Sequence, residues 1–250
     1  MEFLKMEGLG NDFVVVESGD EPSTDTIIAW CDRRRGIGAD GVLAASPVDG
    51  GVRMRYWNAD GSAAATCGNG VRCVARLAVD RSWVAPGPFT VFTDAGPTAV
   101  VAGTEGDVRA HLGSPSPPGP DVEIAGFIFH TLSLGNPHAV CIVPDPFTVP
   151  VEAVGPIVEG DPAFPQRTNV EFVATVDRSR VVARIWERGV GETLASGTGG
   201  AASAIAAHRA GLVDAAVVVD LAGGRLGVEI GDDGVWTEGP ATYVFTGELA

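Results

Sequence analysis

Apolar and polar side chains alternate along many short stretches of this chain, a pattern typical of half-buried β-strands. In residues 52–57 every second side chain from Val52 to Tyr56 is apolar, which predicts one such strand. Comparable stretches occur at residues 14–16, 89–92, 98–102, 108–112, 131–134, 139–143, 169–173, 181–186, 216–220, 225–230 and 242–246. The pattern therefore predicts a chain rich in β-strands.

Three stretches depart from this alternation and predict helices. Residues 25–31 can form a helix that Ser23 or Thr24 caps. Cys67 precedes a stretch in which apolar residues recur at the spacing i, i+3, i+4, i+7 and i+8, which indicates a helix with one buried face. After Ser196 comes an alanine-rich helix that is small on nearly every side, as expected for a central helix wrapped by a sheet. With one central helix in each half, helices are too few to alternate with the strands, and the predicted fold class is α+β.

The two halves of the chain follow the same plan. In the first half Asn58 follows a strand, and Cys67 opens a helix nine residues later (67 − 58). In the second half Glu187 and Ser196 hold the corresponding places, again nine residues apart (196 − 187). Two such units related by a pseudo-twofold axis would direct two helix N-termini into one cleft. A chance match is the alternative, because glycine turns before helices are common.

A segment rich in proline, serine and glycine, residues 113–120, separates the two halves. Such segments are typical of linkers, so a domain boundary is predicted there. We expect an N-terminal domain of residues 1–113 plus 240–250 and a C-terminal domain of residues 114–239, each with one of the two helix-opening turns.

Cys67 is a candidate for chemistry because a glycine-rich turn becomes a helix N-terminus at this residue. Backbone N–H groups and the helix dipole at such a place lower the pKa of a thiol and can dock a carboxylate. A thiolate beside an anion site is suited to removing a proton from the carbon next to a carboxylate. The alternative is a small buried cysteine on a glycine turn. Cys31, Cys73 and Cys141 lie in apolar sequence without metal-ligand spacing, so we expect packing roles and no metal site.

Composition narrows the classes of partner. The 250 residues are 45% hydrophobic and 20% charged, which allows a proper core, and the formal net charge of −15 disfavours a nucleic-acid partner. No apolar stretch approaches the roughly 20 residues of a membrane span, and the N-terminus lacks the apolar core of a signal peptide. We therefore expect a cytoplasmic protein with neither nucleic acid nor membrane as partner.

Two cofactors can be tested against the sequence. Lys5 is the single lysine, and at the extreme N-terminus, outside any motif, it is a poor candidate for the Schiff base of pyridoxal phosphate. Gly197-x-Gly199-x-x-Ala202 matches a dinucleotide fingerprint, which requires a tight turn from strand to helix. Ten residues, 187–196 (196 − 187 + 1), separate it from the preceding strand, so the match is discounted and no cofactor is expected.

Six motifs occur in order and together span nearly the whole chain. They are Gly8-Leu9-Gly10-Asn11-Asp12-Phe13, Arg35-Gly36-Ile37-Gly38-Ala39-Asp40, Asn58-Ala59-Asp60-Gly61 through Cys67-Gly68-Asn69-Gly70, Gly135-Asn136-Pro137-His138, Arg167-Thr168-Asn169, and Trp186-Glu187-Arg188-Gly189 through Gly197-Thr198-Gly199. One such motif would not be specific, whereas six in order are. The sequence resembles the diaminopimelate epimerases, a family of amino-acid racemases that work without pyridoxal phosphate.

The resemblance implies two similar domains, each a curved, mostly antiparallel sheet around a central helix, facing each other across a cleft and often within a homodimer. It implies a small-molecule substrate and a reaction that interconverts L,L- and meso-diaminopimelate on the route to lysine and cell-wall peptide. In that reaction one cysteine removes the α-proton while a second, on the opposite face, delivers another.

By position, the resemblance makes Cys67 one of the two catalytic residues. Asn11, with the backbone of Gly68, Asn69, Gly197 and Thr198, would hold the reacting carboxylate and ammonium groups. The residues that would bind the distal amino-carboxylate end are Asn58, Asn136, Asn169, Glu187 and Arg188. A doubly zwitterionic substrate agrees with this set, since it requires helix N-termini, a guanidinium fork and several amides.

Ser196 departs from the family pattern, which places its second cysteine there. A thiol has a pKa near 8.5, whereas an alcohol lies close to the ~16 of water, so a serine is a far weaker base. No histidine is adjacent in the sequence, and we expect His138 to be a satisfied structural residue.

Three explanations of Ser196 remain open: a deliberate Cys→Ser substitution, an epimerase that tolerates serine at a reduced or one-sided rate, or a derived enzyme. The derived enzyme would be a one-base dehydratase or isomerase, or an epimerase of another amino acid. The hypotheses about function are accordingly an epimerase of diaminopimelate, a related lyase that uses only Cys67, and a non-catalytic binding protein. We expect the first.

Overall fold

A computed structural model describes residues 1–17 and 21–248. The chain divides into two compact units, Met1–His111 with Glu238–Ala250 and Leu112–Thr237. No helix in the described ranges is long and apolar enough to cross a membrane.

The elements follow in chain order. The first unit contains β1 (Glu2–Gly8), β2 (Asn11–Val16), α1 (Thr24–Cys31), β3 (Gly41–Val48), β4 (Gly51–Asn58), β5 (Ala63–Ala64), α2 (Gly68–Asp80), β6 (Gly87–Thr93), β7 (Gly96–Ala102) and β8 (Val108–His111). Next come β9 (Val122–Ile124), β10 (Phe127–Ser133), β11 (Pro137–Ile142), a 3₁₀ turn (Pro146–Thr148), α3 (Val151–Glu159), β12 (Asn169–Asp177), β13 (Arg180–Glu187), β14 (Gly191–Thr193), α4 (Gly197–Arg209), β15 (Ala216–Leu221), β16 (Gly224–Gly231) and β17 (Gly234–Gly239). The last strand, β18 (Thr242–Glu248), pairs with β1 in the first unit.

Both units are built on the same strand order, so the internal repeat extends well beyond the two helix-opening turns. In the first unit β1 and β2 are antiparallel, β2 and β3 parallel, β3 and β4 antiparallel, and β4 and β6 parallel. In the second unit β10 and β11, β11 and β12, β12 and β13, and β13 and β15 repeat this series. Each parallel pair is joined by a helix, as a crossover connection requires. The prediction of an α+β fold with two similar halves is confirmed.

Each sheet packs around one central helix. On α2 the side chains of Val71, Val74 and Leu77 are fully buried against Phe13 of the sheet, and each such side chain stabilises the fold by about 1.5–3 kcal/mol. On α4 the buried residues are almost all glycine and alanine, which lets the strands approach the helix closely on every side. The apolar periodicity after Cys67 predicted α2, and the small, alanine-rich side chains after Ser196 predicted α4.

One helix in the second unit, α3, was not predicted, whereas the expected central helix of that unit, α4, is present. Helix α3 begins after Pro150 and contains Gly155 and Pro156, residues that normally argue against a helix. The glycine is required by tertiary packing, since a Cβ at Gly155 would lie 2.6 Å from the ring of Trp186. Residues that are unfavourable for the helix by itself are therefore retained for its contact with the sheet.

The strands that were not predicted are the short β5, β9 and β14, together with β1, β3 and β17. In β3 the residues from Val42 to Ala45 are all buried, so the strand shows no alternation. In β1 the charged Lys5 occupies a buried position within an otherwise apolar stretch, which hides the pattern.

Candidate active site

In the first unit the predicted site residues gather at one edge of the sheet. Asn11 is the first residue of β2, Asn58 is the last residue of β4, and Cys67 is the N-cap of α2. Strand β3 joins them, because Phe13 is paired with Gly41 and Gly41 with Asn58. The side chain of Asn58 closes the following turn by donating to the Ser62 hydroxyl at 3.0 Å.

The Cys67 side chain does not cap the helix that it precedes. Its backbone is extended, with φ −150° and ψ 119°, and the side chain makes no capping hydrogen bond. Instead the thiol donates to Oδ1 of Asn11 across 3.6 Å. The N–H groups of the first helical turn, which begins at Gly68 and Asn69, are thus not engaged by this side chain and suit an anionic ligand.

A chain of hydrogen bonds fixes the orientation of the two amides beside Cys67. Arg72 Nη2 donates to Asn69 Oδ1 at 2.8 Å, and Asn11 Nδ2 donates to Asp40 Oδ2 at 2.8 Å. A guanidinium can only donate and a carboxylate can only accept, so both amide orientations follow from chemistry. The remaining contact, Asn69 Nδ2 to Asn11 Oδ1 at 3.2 Å, agrees with them. The Asn11 carbonyl oxygen is therefore held toward the sulfur.

A cluster of four charged residues supports this chain. Arg33 Nη2 lies 2.7 Å from Asp40 and 2.7 Å from Asp12, and Lys5 Nζ lies 2.5 Å from Asp12. Lys5 also donates to the Gly38 carbonyl and is 5% exposed. The single lysine thus has a structural position at the sheet edge.

Asp12→Asn is expected to destabilise the protein at neutral pH but not in strong acid. Burial tends to raise the pKa of Asp12, but hydrogen bonds from Arg33 and Lys5 outweigh it and lower the pKa to about 2. A lowered folded-state pKa means that the stabilisation is fully present above about pH 4 and is lost as the pH falls through about 2. Allowing for solvent exposure, the loss at pH 7 is about 1–2 kcal/mol.

Urea unfolding at several pH values measures this difference. Asp49→Asn, which changes an exposed carboxylate after β3, is the control and should show no such pH dependence. Equal destabilisation by Asp12→Asn on both sides of pH 3 would contradict the prediction.

In the second unit the predicted residues occupy the corresponding edge. Asn136 immediately precedes β11, Asn169 begins β12, Glu187 ends β13, and Ser196 is the N-cap of α4. The glycines that precede Asn11 and Asn136, at positions 10 and 135, both have φ +84°, a left-handed conformation that favours glycine. The same tight turn therefore positions an asparagine beside each helix N-terminus.

Ser196 differs from Cys67 in what its side chain does. The hydroxyl accepts a hydrogen bond from the backbone N–H of Gly199 at 3.2 Å, a standard N-cap, and the residue is 4% exposed. In this arrangement a lone pair of the hydroxyl is occupied by the helix, which further weakens it as a base.

A buried histidine–glutamate pair, His138 and Glu171, lies close to the N-terminus of α4 through Asn136. His138 Nδ1 is 2.7 Å from Glu171 Oε1, its Nε2 is 3.0 Å from Asn136 Oδ1, and both the histidine and glutamate side chains are inaccessible to solvent. Asn136 Nδ2 in turn donates to Thr198 Oγ1 at 3.3 Å. Burial raises the pKa of Glu171, and the neighbouring His138 opposes that rise. His138 has both ring nitrogens in contact with oxygen, as expected of a satisfied residue.

Asn169 ties the strand ends to the loop that carries Arg188. Its Nδ2 donates to the Pro137 carbonyl at 3.0 Å, and its Oδ1 accepts from the Arg188 backbone N–H at 2.9 Å. The Arg188 side chain is exposed and donates to the Gln166 carbonyl at 3.1 Å, while Glu187 is half-buried. Both charged side chains thus lie at the accessible end of this edge.

Glu159 also binds the loop that carries Arg188. Its role near the site was not predicted from the sequence. Its carboxylate accepts from the Gly189 N–H at 2.6 Å and from the Trp186 indole at 2.7 Å, and it forms a 2.9 Å ion pair with Arg167. No local sequence pattern indicated this role, because the helix that Glu159 ends was itself not predicted.

The remaining cysteines are buried, as predicted. Burial raises the pKa of Cys31 to about 11, that of Cys73 to about 12 and that of Cys141 to about 11. None of the four cysteines is in a disulfide bond, and residues 1–17 and 21–248 contain no cluster of His, Cys, Asp and Glu that could hold a metal ion.

Comparisons with known proteins agree with this arrangement. The family model described as "Diaminopimelate epimerase" matches residues 3–117 and 130–244, one stretch for each half of the repeat. The diaminopimelate epimerase of Acinetobacter baumannii (strain AYE) is 41% identical over 272 residues, covering 100% of this chain and 97% of the relative. That of Halorhodospira halophila is 40% identical over 277 residues, covering 100% and 95%.

Among solved structures, a PhzF-family phenazine biosynthesis protein of Bacillus anthracis superposes with a TM-score of 0.76 at 14% identity, covering 100% of this chain and 99% of that chain. At this identity the superposition shows a shared fold. The full-length similarity to named epimerases and the match of the family model carry the assignment further: the chain belongs to the diaminopimelate epimerase family.

Proposed function

We propose that this protein is a cofactor-independent epimerase that interconverts L,L- and meso-diaminopimelate by removing and returning the proton at the α-carbon. The observation that carries the proposal is the Cys67 thiol, which lies at the N-terminus of α2, contacts Asn11 and does not cap its own helix. Membership of the family supports diaminopimelate as the substrate.

The chemistry requires that charge on the reacting end be stabilised. Removing the α-proton places negative charge on the α-carbon and its carboxylate, and N–H groups at helix N-termini stabilise an anion of this kind. We assign this role to the backbone at Gly68 and Asn69 and at Gly197 and Thr198, with Asn11 beside the thiol. When the Cys67 thiolate takes the α-proton, the C–H bond breaks as the S–H bond forms, and inversion requires the O–H bond of Ser196 to break as the new C–H bond forms. In the reverse direction the S–H bond of Cys67 breaks as the new C–H bond forms.

The distal end of the substrate carries a second ammonium and carboxylate. We assign its binding to five residues with matching chemistry: Asn58, Asn136, Asn169, Glu187 and Arg188. The exposed guanidinium of Arg188 and the carboxylate of Glu187 supply the two opposite charges, and the amides supply both donors and acceptors.

Ser196 is assigned to the second acid–base position, where it limits the reaction. Correcting the roughly 7 units between the pKa of an alcohol and that of a thiol corresponds to about 10 kcal/mol, beyond the 3–5 units that protein environments usually supply. Its hydroxyl also accepts the capping hydrogen bond from Gly199. These two facts favour a one-sided or slow reaction and keep a one-base lyase or isomerase as the second candidate function.

Incubation of the protein with each diaminopimelate isomer in D₂O tests the proposal. Chiral chromatography with mass spectrometry measures inversion and deuterium uptake separately. Deuterium with inversion supports the epimerase; exchange or elimination without inversion supports the one-base enzyme. If neither isomer takes up deuterium, the protein is a binding protein and the proposal is wrong.

We further propose a homodimer, as the family resemblance implies, and a cytoplasmic location, as expected from the sequence. Strand β18 supports an interface, because Tyr243, Val244 and Phe245 are 38%, 54% and 47% exposed. Light scattering after size-exclusion chromatography tests the oligomeric state, and a monomer at micromolar concentration would contradict it.

A further inference from the structure

Arg72 is the largest of the fully buried side chains and lies in the helix that Cys67 opens. Its Nε donates to the Pro240 carbonyl at 3.3 Å and its Nη2 donates to Asn69 at 2.8 Å. Its Nη1 is buried without a hydrogen-bond partner. Among the ion pairs of the described residues, none involves Arg72. A buried guanidinium with neither a carboxylate nor a full set of acceptors is costly and calls for a negative charge nearby.

The charged and titratable groups around Arg72 identify that negative charge. Burial lowers the pKa of Arg72, and the groups that oppose this are Cys73, Cys67, Asp107 and Glu7. Cys73 is neutral at physiological pH because burial raises its pKa to about 12. Asp107 is exposed and Glu7 is half-buried, so solvent screens both carboxylates.

The cluster beyond Asn11 does not supply the charge either. Its two carboxylates, Asp12 and Asp40, are matched by the two cations Lys5 and Arg33, so the cluster has no net charge. Of the four groups that oppose the lowering of the Arg72 pKa, this leaves Cys67, whose thiol can lose its proton and become a negatively charged thiolate.

The orientation of the amides explains why such a charge is needed. With the thiol protonated, the contact between Cys67 and Asn11 Oδ1 is favourable. Once the proton leaves, a carbonyl oxygen faces a thiolate, and Asn11 cannot turn its Nδ2 to the sulfur because Asp40 and Asn69 hold it at both ends. The thiolate must therefore be stabilised by a positive charge and by N–H groups of the helix, not by this amide.

We infer that Arg72 is a positioning residue for Cys67. Arg72 supplies the buried positive charge that stabilises the Cys67 thiolate, and it orders Asn69 and, through Asn69, holds Asn11 beside the sulfur. The inference rests on the acid–base role of Cys67 in the proposed function, but its test needs no substrate.

The rate of alkylation of Cys67 by iodoacetamide, followed from about pH 5 to about pH 10 by peptide mass spectrometry, reports the thiolate directly. Arg72→Gln keeps a donor for Asn69 and removes the charge, so its profile should shift to higher pH by about one unit, or tenfold in rate below the midpoint. Arg72→Lys keeps the charge and should restore a midpoint close to that of the unsubstituted protein.

Arg76→Gln is the matched control. Arg76 lies one turn further along α2, is 7% exposed, and donates to the carbonyls of Gly103 and Gly106, away from the amide chain. Its profile should not move. A shift equal to that of Arg72→Gln would show a general effect of helix charge and would overturn the inference, as would an unchanged Arg72→Gln profile.

If circular dichroism shows that Arg72→Gln does not fold, the alkylation profile of Cys67 in the unsubstituted protein still tests the inference. The inference expects an alkylation midpoint for Cys67 below the ~8.5 of an ordinary thiol, and a midpoint at or above that value overturns it. A shifted profile together with no deuterium exchange from diaminopimelate would leave the inference standing and reject the proposed substrate.

Discussion

Ser196→Cys is expected to raise the rate of stereoinversion of diaminopimelate at least 100-fold. A positioned general acid or base contributes about 10²- to 10⁴-fold, and the substitution replaces an alcohol with a thiol whose ordinary pKa lies near 8.5. The change is small in volume, and position 196 already has the extended backbone of an N-cap, φ −132° and ψ 124°, similar to that of Cys67. Initial rates of conversion of L,L- to meso-diaminopimelate, followed by chiral chromatography, measure the effect.

Ser196→Ala is the matched control for this gain. It removes the capping hydrogen bond to Gly199, so we expect a loss of about 1 kcal/mol in unfolding free energy and no gain in inversion. Cysteine caps more weakly than serine, so a faster but slightly less stable Ser196→Cys protein would fit. No rise in inversion in a folded Ser196→Cys protein would show that position 196 has no acid–base role.

Cys67→Ala is expected to reduce exchange of the α-proton by about 10²- to 10⁴-fold for every diaminopimelate isomer on which the protein acts. The physical reason is that Cys67 alone among the cysteines is not buried, and its thiol contacts a polar group in the site. The α2 helix itself should persist, since the Cys67 side chain does not cap it. Deuterium uptake from D₂O, measured by mass spectrometry with each isomer separately, reports the loss.

Cys73→Ala controls for the loss of a sulfur from the same helix. Cys73 is fully buried in the core of the first unit, so its replacement should lower stability slightly and leave exchange unchanged. Retained exchange in Cys67→Ala would remove the basis of the proposed mechanism, whatever the behaviour of Ser196→Cys.

Together these two substitutions separate the explanations of Ser196. An enzyme that lacks only its second thiol should lose exchange on Cys67→Ala and gain inversion on Ser196→Cys. A one-base lyase should lose its activity on Cys67→Ala without gaining inversion on Ser196→Cys. A binding protein should show neither effect.

The residues that support the site were harder to predict than the residues expected to contact substrate. Glu171 is a charged residue among the apolar residues 170–174 of β12, and Arg72 interrupts the apolar face of α2. Nothing in the local pattern indicates that either one is fully buried, and solvent exposure is the usual state of both residue types. Their partners, His138 and Pro240, are distant in sequence, so only the folded chain pairs them.

The sequence by itself determined the elements whose signal is local: most of the strands, both central helices, and the two corners at Cys67 and Ser196. These follow from periodicity, glycine turns and spacing, which act between neighbouring residues. Family membership likewise followed from six ordered motifs, and the comparisons confirm it.

Only the tertiary structure decided what the side chains of Cys67 and Ser196 do. The Cys67 thiol contacts Asn11, while the Ser196 hydroxyl caps its helix, and the sequence gives both residues the same place before a glycine. The same holds for α3, where Gly155 is required by contact with Trp186. The physical reason is that hydrogen-bond direction and close packing depend on groups brought together from separate strands, which no local pattern contains.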